Sequence, residues 1–466
     1  MWDFKKHIDN IAAIEESGNI ITYGDLVKYS DNLADNISER SLVLCLCKNN
    51  LGSLLGYVAF INAKIVPLML DEGIDKELLD SLVEVYKPEY FWVPSDRVDY
   101  FDGCISIYSS FDFILLKNPV GQNHILHNEL ALLLTTSGST GSRKLVRQSY
   151  QNIKSNTKSI VEYLEINHKE RSITTLPMSY TYGLSIINSH LYAGASIILT
   201  SKTLVQKQFW HQLKTYAATS FGGVPFTYEM LNKLKFFKMD LPSIKVMTQA
   251  GGRLTAELHK KFSIYANEMG KRFYVMYGQT EATARMSYLP YEKSLDKCGS
   301  VGIAVPNGKF FLVDEKSKEI TDCDMVGELG YIGDNVSLGY AENSNDLAKG
   351  DERKGVLLTG DMAKVDKDGF YWVVGRKKRF LKIFGNRINL DEVEELLKTR
   401  FSDIGIACSG IDDNLYIYIT ENRISDDVRQ YLSDKIGFNH SSITINYIKE
   451  IPKNESGKTS YKDLSR

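Results

Sequence analysis

Apolar and polar positions follow two alternating rhythms along this chain. Short, almost unbroken apolar runs such as SLVLCLC (Ser41–Cys47), IVPLML and EYFWV show no polar face, as strands covered on both sides require. Between them stand LGSLLGYVAFINA and DKELLDSLVEVY, long enough and spaced correctly for helices. Strand, helix, strand in this order predicts a mostly parallel sheet clothed in helices. The same rhythm returns at Ser172–Leu176, Ser196–Thr200 and Ile244–Thr248.

From Gly327 the texture changes to short β segments with turn residues, GELGYIGDNVSLGY and VDKDGFYWVVGRKKR, which predict a small β-rich module. It changes again after Gly375. DEVEELLKTRF reads as a helix, NLYIYIT as a strand, DDVRQYLSDKI as a second helix and ITINYI as a last strand. The fold class expected is therefore α/β: a large N-terminal domain of helix-covered, mostly parallel sheets plus a small β-rich module, followed by a small, mobile α+β C-terminal domain. The basic run Arg376–Arg379 is the expected boundary, giving domains 1–376 and 377–466.

Composition narrows the classes of function. The 466 residues are 43% hydrophobic and 24% charged, the balance of a folded globular chain. Lys plus Arg number 56 and Asp plus Glu 58, so with a net charge of −2 there is no global positive field for nucleic acid or anionic lipid. Any phosphate must be held locally. Cys45, Cys47, Cys104, Cys298, Cys323 and Cys408 form no C-x-x-C pair, which argues against structural zinc or a disulfide framework and for a reduced cytoplasm. Cys45 and Cys47 read as buried strand residues. No signal-peptide pattern and no apolar run of about 18 residues is present, so neither export nor a membrane span is expected.

Four segments could carry chemistry. TTSGSTGSRK (Thr135–Lys144) follows the apolar run LALLL and offers unhindered N–H groups, hydroxyls and then a cation, as wrapping a polyphosphate requires. It is not a Walker loop, because Arg143 stands where the second glycine belongs. YGQTEAT, from Tyr277, offers a ring for a base, a hydroxyl for a phosphate and a carboxylate for magnesium. LLTGDMAKVDKDGFYWVVGRKKR places Asp361 after a Thr-Gly turn and Arg376 after a glycine, groups suited to vicinal ribose hydroxyls. NESGKTS ends the series with Lys458. Taken alone, such segments are more often an ordinary loop, a solvated turn or a frayed tail.

Their order and spacing resemble the acyl-adenylate-forming enzymes, the superfamily of acyl-CoA synthetases, aryl-acid ligases, luciferases and peptide-synthetase adenylation domains. The likeness runs from ITYGDLVKYSDNLA and IVPLML through TTSGSTGSRK, YGQTE, GELGYIGDNVSLGY and TGD to GRKKRFLKIFGNRINLDEVE and NESGK. It implies that Thr136, Ser137, Gly138, Ser139, Thr140, Gly141 and Lys144 clamp the ATP phosphates. Tyr277 and Gly278 would meet adenine, Thr280 the α-phosphate, and Glu281 a magnesium ion. Asp361 and Arg376 would take the ribose, and Lys458 would bridge the substrate carboxylate and the α-phosphate. The resemblance also makes Lys378 the pivot on which the small domain turns, after which Lys382 and Gly385 would line a tunnel for a pantetheine thiol.

The same resemblance gives Tyr180, Tyr182, Gly183, Val224 and Gln249 to the acyl pocket, with Gly251 and Gly252 bordering both it and the nucleotide. Arg143 departs from the proline usual in the family. Tyr180 stands where amino-acid activators carry Asp; with no charge for an α-ammonium, the expected acid is a small or medium one, not an α-amino acid. Tyr180 and Tyr182 read equally as core packing. Coenzyme A is the expected acceptor, since no carrier domain follows Lys458; a separate carrier protein bearing phosphopantetheine is the alternative. A different class, an NTP hydrolase or a nucleotide-binding module without ligase activity, also fits the loop segments. Its products would be ADP and phosphate rather than AMP and pyrophosphate.

Overall fold

A computed structural model describes residues 2–135, 144–383, 386–411, 414–436, 442–453 and 459–464; for Lys378 and Lys382 it describes the backbone alone. Contacts divide the chain into two compact units, Met1–Lys309 with Tyr331–Leu357, and Phe310–Gly330 with Leu358–Arg466.

The first unit holds two large sheets. The strands Leu130–Thr135, Val66–Asp71, Leu42–Cys47 and Tyr90–Pro94 form the parallel centre of an eight-stranded sheet. Antiparallel strands flank it, among them Leu145–Ser149 and Gly339–Ala341 on one side. Every residue of Leu42–Cys47 is buried, as the unbroken apolar run requires of a strand covered on both faces. The helix Leu51–Asn62 is buried nearly all round, which its composition of Leu, Val, Phe, Ile and small residues permits. It starts at Asn50, whose side chain accepts the Ser53 N–H. Cys45 and Cys47 lie inside this layer, where burial pushes both thiols up in pKa and away from reactivity.

The nine-stranded sheet runs parallel from Arg272–Tyr277 through Val246–Gln249, Ser220–Gly223, Arg171–Ile173 and Ser196–Leu199 to Ile11–Glu15. Of the strands expected here, the one at Ser172–Leu176 is shorter than its apolar run suggests. It ends at Ile173, and further along the Asn49 side chain binds the backbone, donating to the Leu176 carbonyl (3.1 Å) and accepting the Met178 N–H (3.2 Å). The helix Tyr150–Leu164 begins with a reciprocal cap between Ser149 and Asn152, and packs against the helix Thr181–Tyr192.

A five-stranded sheet is built on Glu319–Ile320, Lys309–Val313, Gly327–Ile332, Val356–Val365 and Tyr371–Arg376, most of whose residues belong to the second unit. The second unit also contains a three-stranded sheet of Ile406–Ile411, Asn414–Ile419 and Ile443–Tyr447, with the helices Leu390–Arg400 and Ser425–Ile436. Val393, Leu397, Ile406, Leu415, Ile417, Val428 and Leu432 close over one another as its core, each side chain contributing about 1.5–3 kcal/mol by leaving water. The layered α/β class expected from the sequence is the class observed.

Candidate active site

The YGQTE segment lies where the parallel strand Arg272–Tyr277 ends. Its glutamate is held from three sides. The Tyr340 hydroxyl donates to Glu281 Oε1 at 2.8 Å, while the Glu281 carbonyl accepts the Ser337 N–H at 2.9 Å and Arg353 Nη1 at 3.2 Å. Thr280 beside it is buried, its carbonyl accepting Gln148 Nε2 at 3.1 Å. The turn then passes through Thr283, in the left-handed region at φ 55°. Asn335 ties this turn down: its Nδ2 donates to the carbonyls of Ala282 (2.8 Å) and Arg285 (3.2 Å), and its own carbonyl accepts the Thr283 hydroxyl (2.7 Å).

Lys144, the last residue of the glycine-rich segment, reaches the same place. The strand Leu145–Ser149 that it opens pairs antiparallel with Gly339–Ala341, Leu145 opposite Ala341, so Lys144 faces the continuation of that strand. Its Nζ stands 3.7 Å from the centroid of the Tyr340 ring and 3.4 Å from Glu342. The Arg353 guanidinium also lies over the Tyr340 ring, 4.5 Å from its centroid. Burial, and next the Glu281 carboxylate, raise the Tyr340 pKa, keeping its hydroxyl a proton donor. Thr136, Ser137, Gly138, Ser139, Thr140, Gly141 and Arg143 lie outside the described residues, as do Gly385 and Lys458. Tyr277 and Gly278 are half-buried at the strand end.

Residues expected around an acyl chain gather at the start of the helix Thr181–Tyr192. Tyr180 and Tyr182 meet edge to face at 6.4 Å. Tyr182 is buried, with its hydroxyl 2.9 Å from the Thr248 carbonyl and 2.8 Å from its Oγ1; burial raises its pKa. Tyr180 is half-buried, its phenol pushed up to about 12 by burial. A Cβ placed on Gly251 would come 2.8 Å from the Tyr180 hydroxyl and 3.0 Å from Val224 Cγ1, so these three converge. Gln249 turns onto the backbone, donating to the carbonyls of Ala250 and Gly252 at 3.2 and 2.9 Å. Gly183 is buried in the first turn of the helix.

Arg285 is a buried cation beside this group that the motifs did not single out. Its guanidinium lies 5.2 Å from the Tyr182 ring centroid, with Nε donating to Ser185 Oγ at 3.1 Å and Nη1 to the Tyr163 hydroxyl at 3.0 Å. Tyr340, Asn335, Gln148 and Arg353 were missed as well. Tyr340 and Asn335 both fall within the GELGYIGDNVSLGY segment, but nothing in that pattern singles out either one.

In the second unit, Asp361 and Arg376 are cross-strand partners, Arg376 Nε standing 3.5 Å from Asp361 Oδ1. The Asp361 N–H is held by Thr359 Oγ1 at 3.1 Å, and Arg376 is largely exposed. Lys377–Arg379 form a single tight turn after that strand, with Lys377 Nζ 2.6 Å from Glu328 and Arg379 bound to Asp391 and Glu394. Lys378 sits in the middle of this turn and Lys382 in the strand Phe380–Ile383.

A magnesium ion asks for hard oxygen ligands and commonly takes only one or two carboxylates, the rest coming from phosphates and water. Glu281 meets this: Tyr340 engages one oxygen, and among the described residues no hydrogen bond ends on the other. No cluster of three or more His, Cys, Asp or Glu occurs among the described residues, so a protein-only cage is not on offer there. The fit is to a metal that arrives with a polyphosphate.

Comparison with known proteins places this arrangement. The family model described as AMP-binding enzyme matches residues 2–341. A 4-coumarate--CoA ligase-like protein of Arabidopsis thaliana is 25% identical over 473 residues, spanning 96% of this chain and 77% of its own. The peroxisomal OPC-8:0-CoA ligase 1 of the same plant is 26% identical, with coverage of 96% and 79%. Among solved structures, the o-succinylbenzoate coenzyme A synthetase of Bacillus subtilis in complex with AMP superposes with a TM-score of 0.82 at 20% identity, covering 99% and 97% of the two chains. At that identity the likeness speaks to the fold. The chain belongs to the AMP-binding enzyme family, and with it to the adenylate-forming ligases. No helix among the described residues is long and apolar enough to cross a membrane.

Proposed function

We propose that the protein activates a small carboxylic acid with ATP, forming an acyl-AMP and releasing pyrophosphate, and then passes the acyl group to the thiol of coenzyme A. The observation that carries this is the meeting of Lys144 and Glu281 on Tyr340, which brings the end of the glycine-rich segment and the carboxylate of YGQTE onto one ring. A polyphosphate cation and a metal-binding oxygen are needed side by side where pyrophosphate departs.

The chemistry follows from the leaving group. A carboxylate is a poor acylating agent because oxide leaves badly, whereas AMP leaves well from a mixed anhydride. The acid's oxygen attacks the α-phosphorus and pyrophosphate is expelled; the charge gathered there is offset by Lys458 and by the N–H and hydroxyl groups of residues 136–141. Glu281 would hold a magnesium ion arriving with ATP, which would supply further neutralisation of the departing phosphates. Thr280 contacts the α-phosphate, Tyr277 the base, and Asp361 and Arg376 the ribose. Residues 377–466 act as a separate domain that turns at Lys378, so that Lys382 and Gly385 serve the thiol in the second step. The thiolate then attacks the acyl carbon and AMP leaves.

Tyr180 supports the choice of substrate. It closes over Gly251 and Val224 with a neutral phenol, which narrows the space for a long acid and offers no counter-charge to an α-ammonium group.

The test is product analysis with full-length protein, ATP, magnesium, coenzyme A and a panel of short aliphatic, hydroxylated, aryl and amino acids. AMP, pyrophosphate and a new acyl-CoA mass are expected. Thioester found only on a phosphopantetheinylated carrier protein would replace the acceptor, ADP and phosphate would replace the whole reading by a hydrolase, and turnover limited to amino acids would overturn the substrate class.

A further inference from the structure

We propose that Tyr340 is a positioning residue for the metal-bound nucleotide: its hydroxyl orients the Glu281 carboxylate and its ring seats Lys144. The inference rests on the reading of Glu281 and Lys144 given above.

Four contacts carry it. The hydroxyl donates to Glu281 Oε1 at 2.8 Å, which fixes the carboxylate, and among the described residues no hydrogen bond ends on its second oxygen. The ring has Lys144 Nζ at 3.7 Å and the Arg353 guanidinium at 4.5 Å from its centroid. Arg353 in turn donates to the Glu281 carbonyl at 3.2 Å, so the tyrosine, the arginine and the glutamate form a closed set. Tyr340 itself is not free to drift. It lies in the strand Gly339–Ala341, opposite Val146 in the ladder, and its carbonyl accepts Arg147 Nε at 3.0 Å.

The physical need is clear. A single carboxylate on a turn has rotational freedom, and ordering it when a cation arrives costs affinity; a second group that holds it in advance removes that cost. Lys144 faces a related problem, because a flexible ammonium near a carboxylate can fold away. Glu342 stands 3.4 Å from it, and the Tyr340 ring offers a weaker, uncharged seat from which a phosphate can draw it. One residue thus prepares both the cation that meets the phosphates and the oxygen that meets the metal.

The experiment measures equilibrium ATP binding to the full chain by calorimetry, with magnesium and with EDTA, alongside melting curves. In the wild type magnesium should tighten ATP binding. Tyr340→Phe keeps the ring and loses the hydroxyl. It should raise the magnesium concentration needed for half of that tightening by roughly tenfold, as the loss of a partner to a metal-binding carboxylate does, with metal-free ATP affinity within about twofold of wild type. Tyr340→Leu, lacking the ring too, should weaken metal-free ATP binding several-fold further.

An unchanged magnesium response in a folded Tyr340→Phe protein would overturn the role of the hydroxyl. Equal metal-free affinities for the Phe and Leu variants would overturn that of the ring. If the wild type shows no magnesium effect while binding ATP, the assignment of Glu281 itself fails, and the Tyr340 proposal with it. That outcome is distinguished by the wild-type titration alone.

Discussion

Gly278 and Ala284 close the YGQTE turn on itself: a Cβ at Gly278 would stand 1.7 Å from the Ala284 carbonyl oxygen. No side chain fits that gap, so the two ends of the turn can approach only if residue 278 is glycine. Gly278→Ala must push the backbone apart, costing about 1–3 kcal/mol of stability as an overpacked site does. Because Thr280 and Glu281 lie between these two residues, ATP–pyrophosphate exchange should fall by about 100-fold in the protein that remains folded. Exchange within a few-fold of wild type would mean that the turn tolerates displacement and that its geometry is not what the chemistry uses.

The pairing of Asp361 with Arg376 predicts an effect on nucleotide affinity with little effect on stability. Arg376 is largely exposed, and pairs of that kind contribute about 0–1 kcal/mol to folding. Asp361→Ala should raise the KM for ATP by roughly 10-fold to 100-fold, the loss of hydrogen bonds to a charged acceptor, with a melting temperature close to wild type. Arg376→Lys should fall short of wild type because an ammonium lacks the planar fork of the guanidinium. A KM that stays unchanged in both variants removes the ribose role from this pair.

Tyr180 sets an upper limit on the acid if it lines the pocket. With its hydroxyl only 2.8 Å from where a Gly251 side chain would begin, shortening it opens space directly over the glycine. Tyr180→Ala should shift preference toward acids longer by several methylenes, by roughly tenfold or more in relative kcat/KM, given about 1–3 kcal/mol for each methylene accommodated. Tyr180→Phe, which keeps the ring, should retain the short-acid preference. If the alanine variant loses stability without any change in chain-length profile, Tyr180 is core packing.

Two buried histidines predict how stability depends on pH. His190 and His259 are both pulled down to about 4 by burial. The His190 Nδ1–H donates to the Ile186 carbonyl at 2.8 Å, while His259 Nδ1 accepts the Gly299 N–H at 3.2 Å and its Nε2–H faces Ser294 Oγ at 3.0 Å. Both are thus neutral when folded. A folded pKa below the unfolded value of about 6.5 means that the unfolded chain binds more protons, so the stability these residues contribute is present above pH 6.5 and lost as pH falls toward 4. The unfolding free energy obtained from urea titrations should drop across that window, by an amount on the order of a few kcal/mol for the two together. His259→Gln should flatten part of the fall. A flat profile between pH 6.5 and 4 would show that these rings take up protons without unfolding.

Much of the fold was legible because its strands are buried on both faces. Beyond their first residues, SLVLCLC and EYFWV hold only apolar or aromatic residues, and each of these stretches is a strand in the structure. Boundaries were less legible, as at Ser172–Leu176, where the strand ends at Ile173 and the Leu176 carbonyl is bound by Asn49, distant in sequence. The site divides in the same way. Asp361 and Arg376 stood out because a Thr-Gly turn and a glycine mark their positions, and the ladder makes them partners. Tyr340 and Asn335 were invisible as functional groups: they act on the YGQTE turn from 59 and 52 residues away, and no local pattern encodes such a contact. Arg285 was hidden for a different reason. An arginine two residues before a strand reads as solvated, and only the packing of Tyr163, Tyr182 and Ser185 around it shows that it is buried.

The most direct test of acid activation is ATP–pyrophosphate exchange across short aliphatic, hydroxylated, aryl and amino acids, with Lys458→Ala as the control. Exchange should appear with one class of non-amino acid and vanish in the variant. Exchange that survives the loss of Lys458, or silence across the panel while ATP is turned over to ADP, would contradict it.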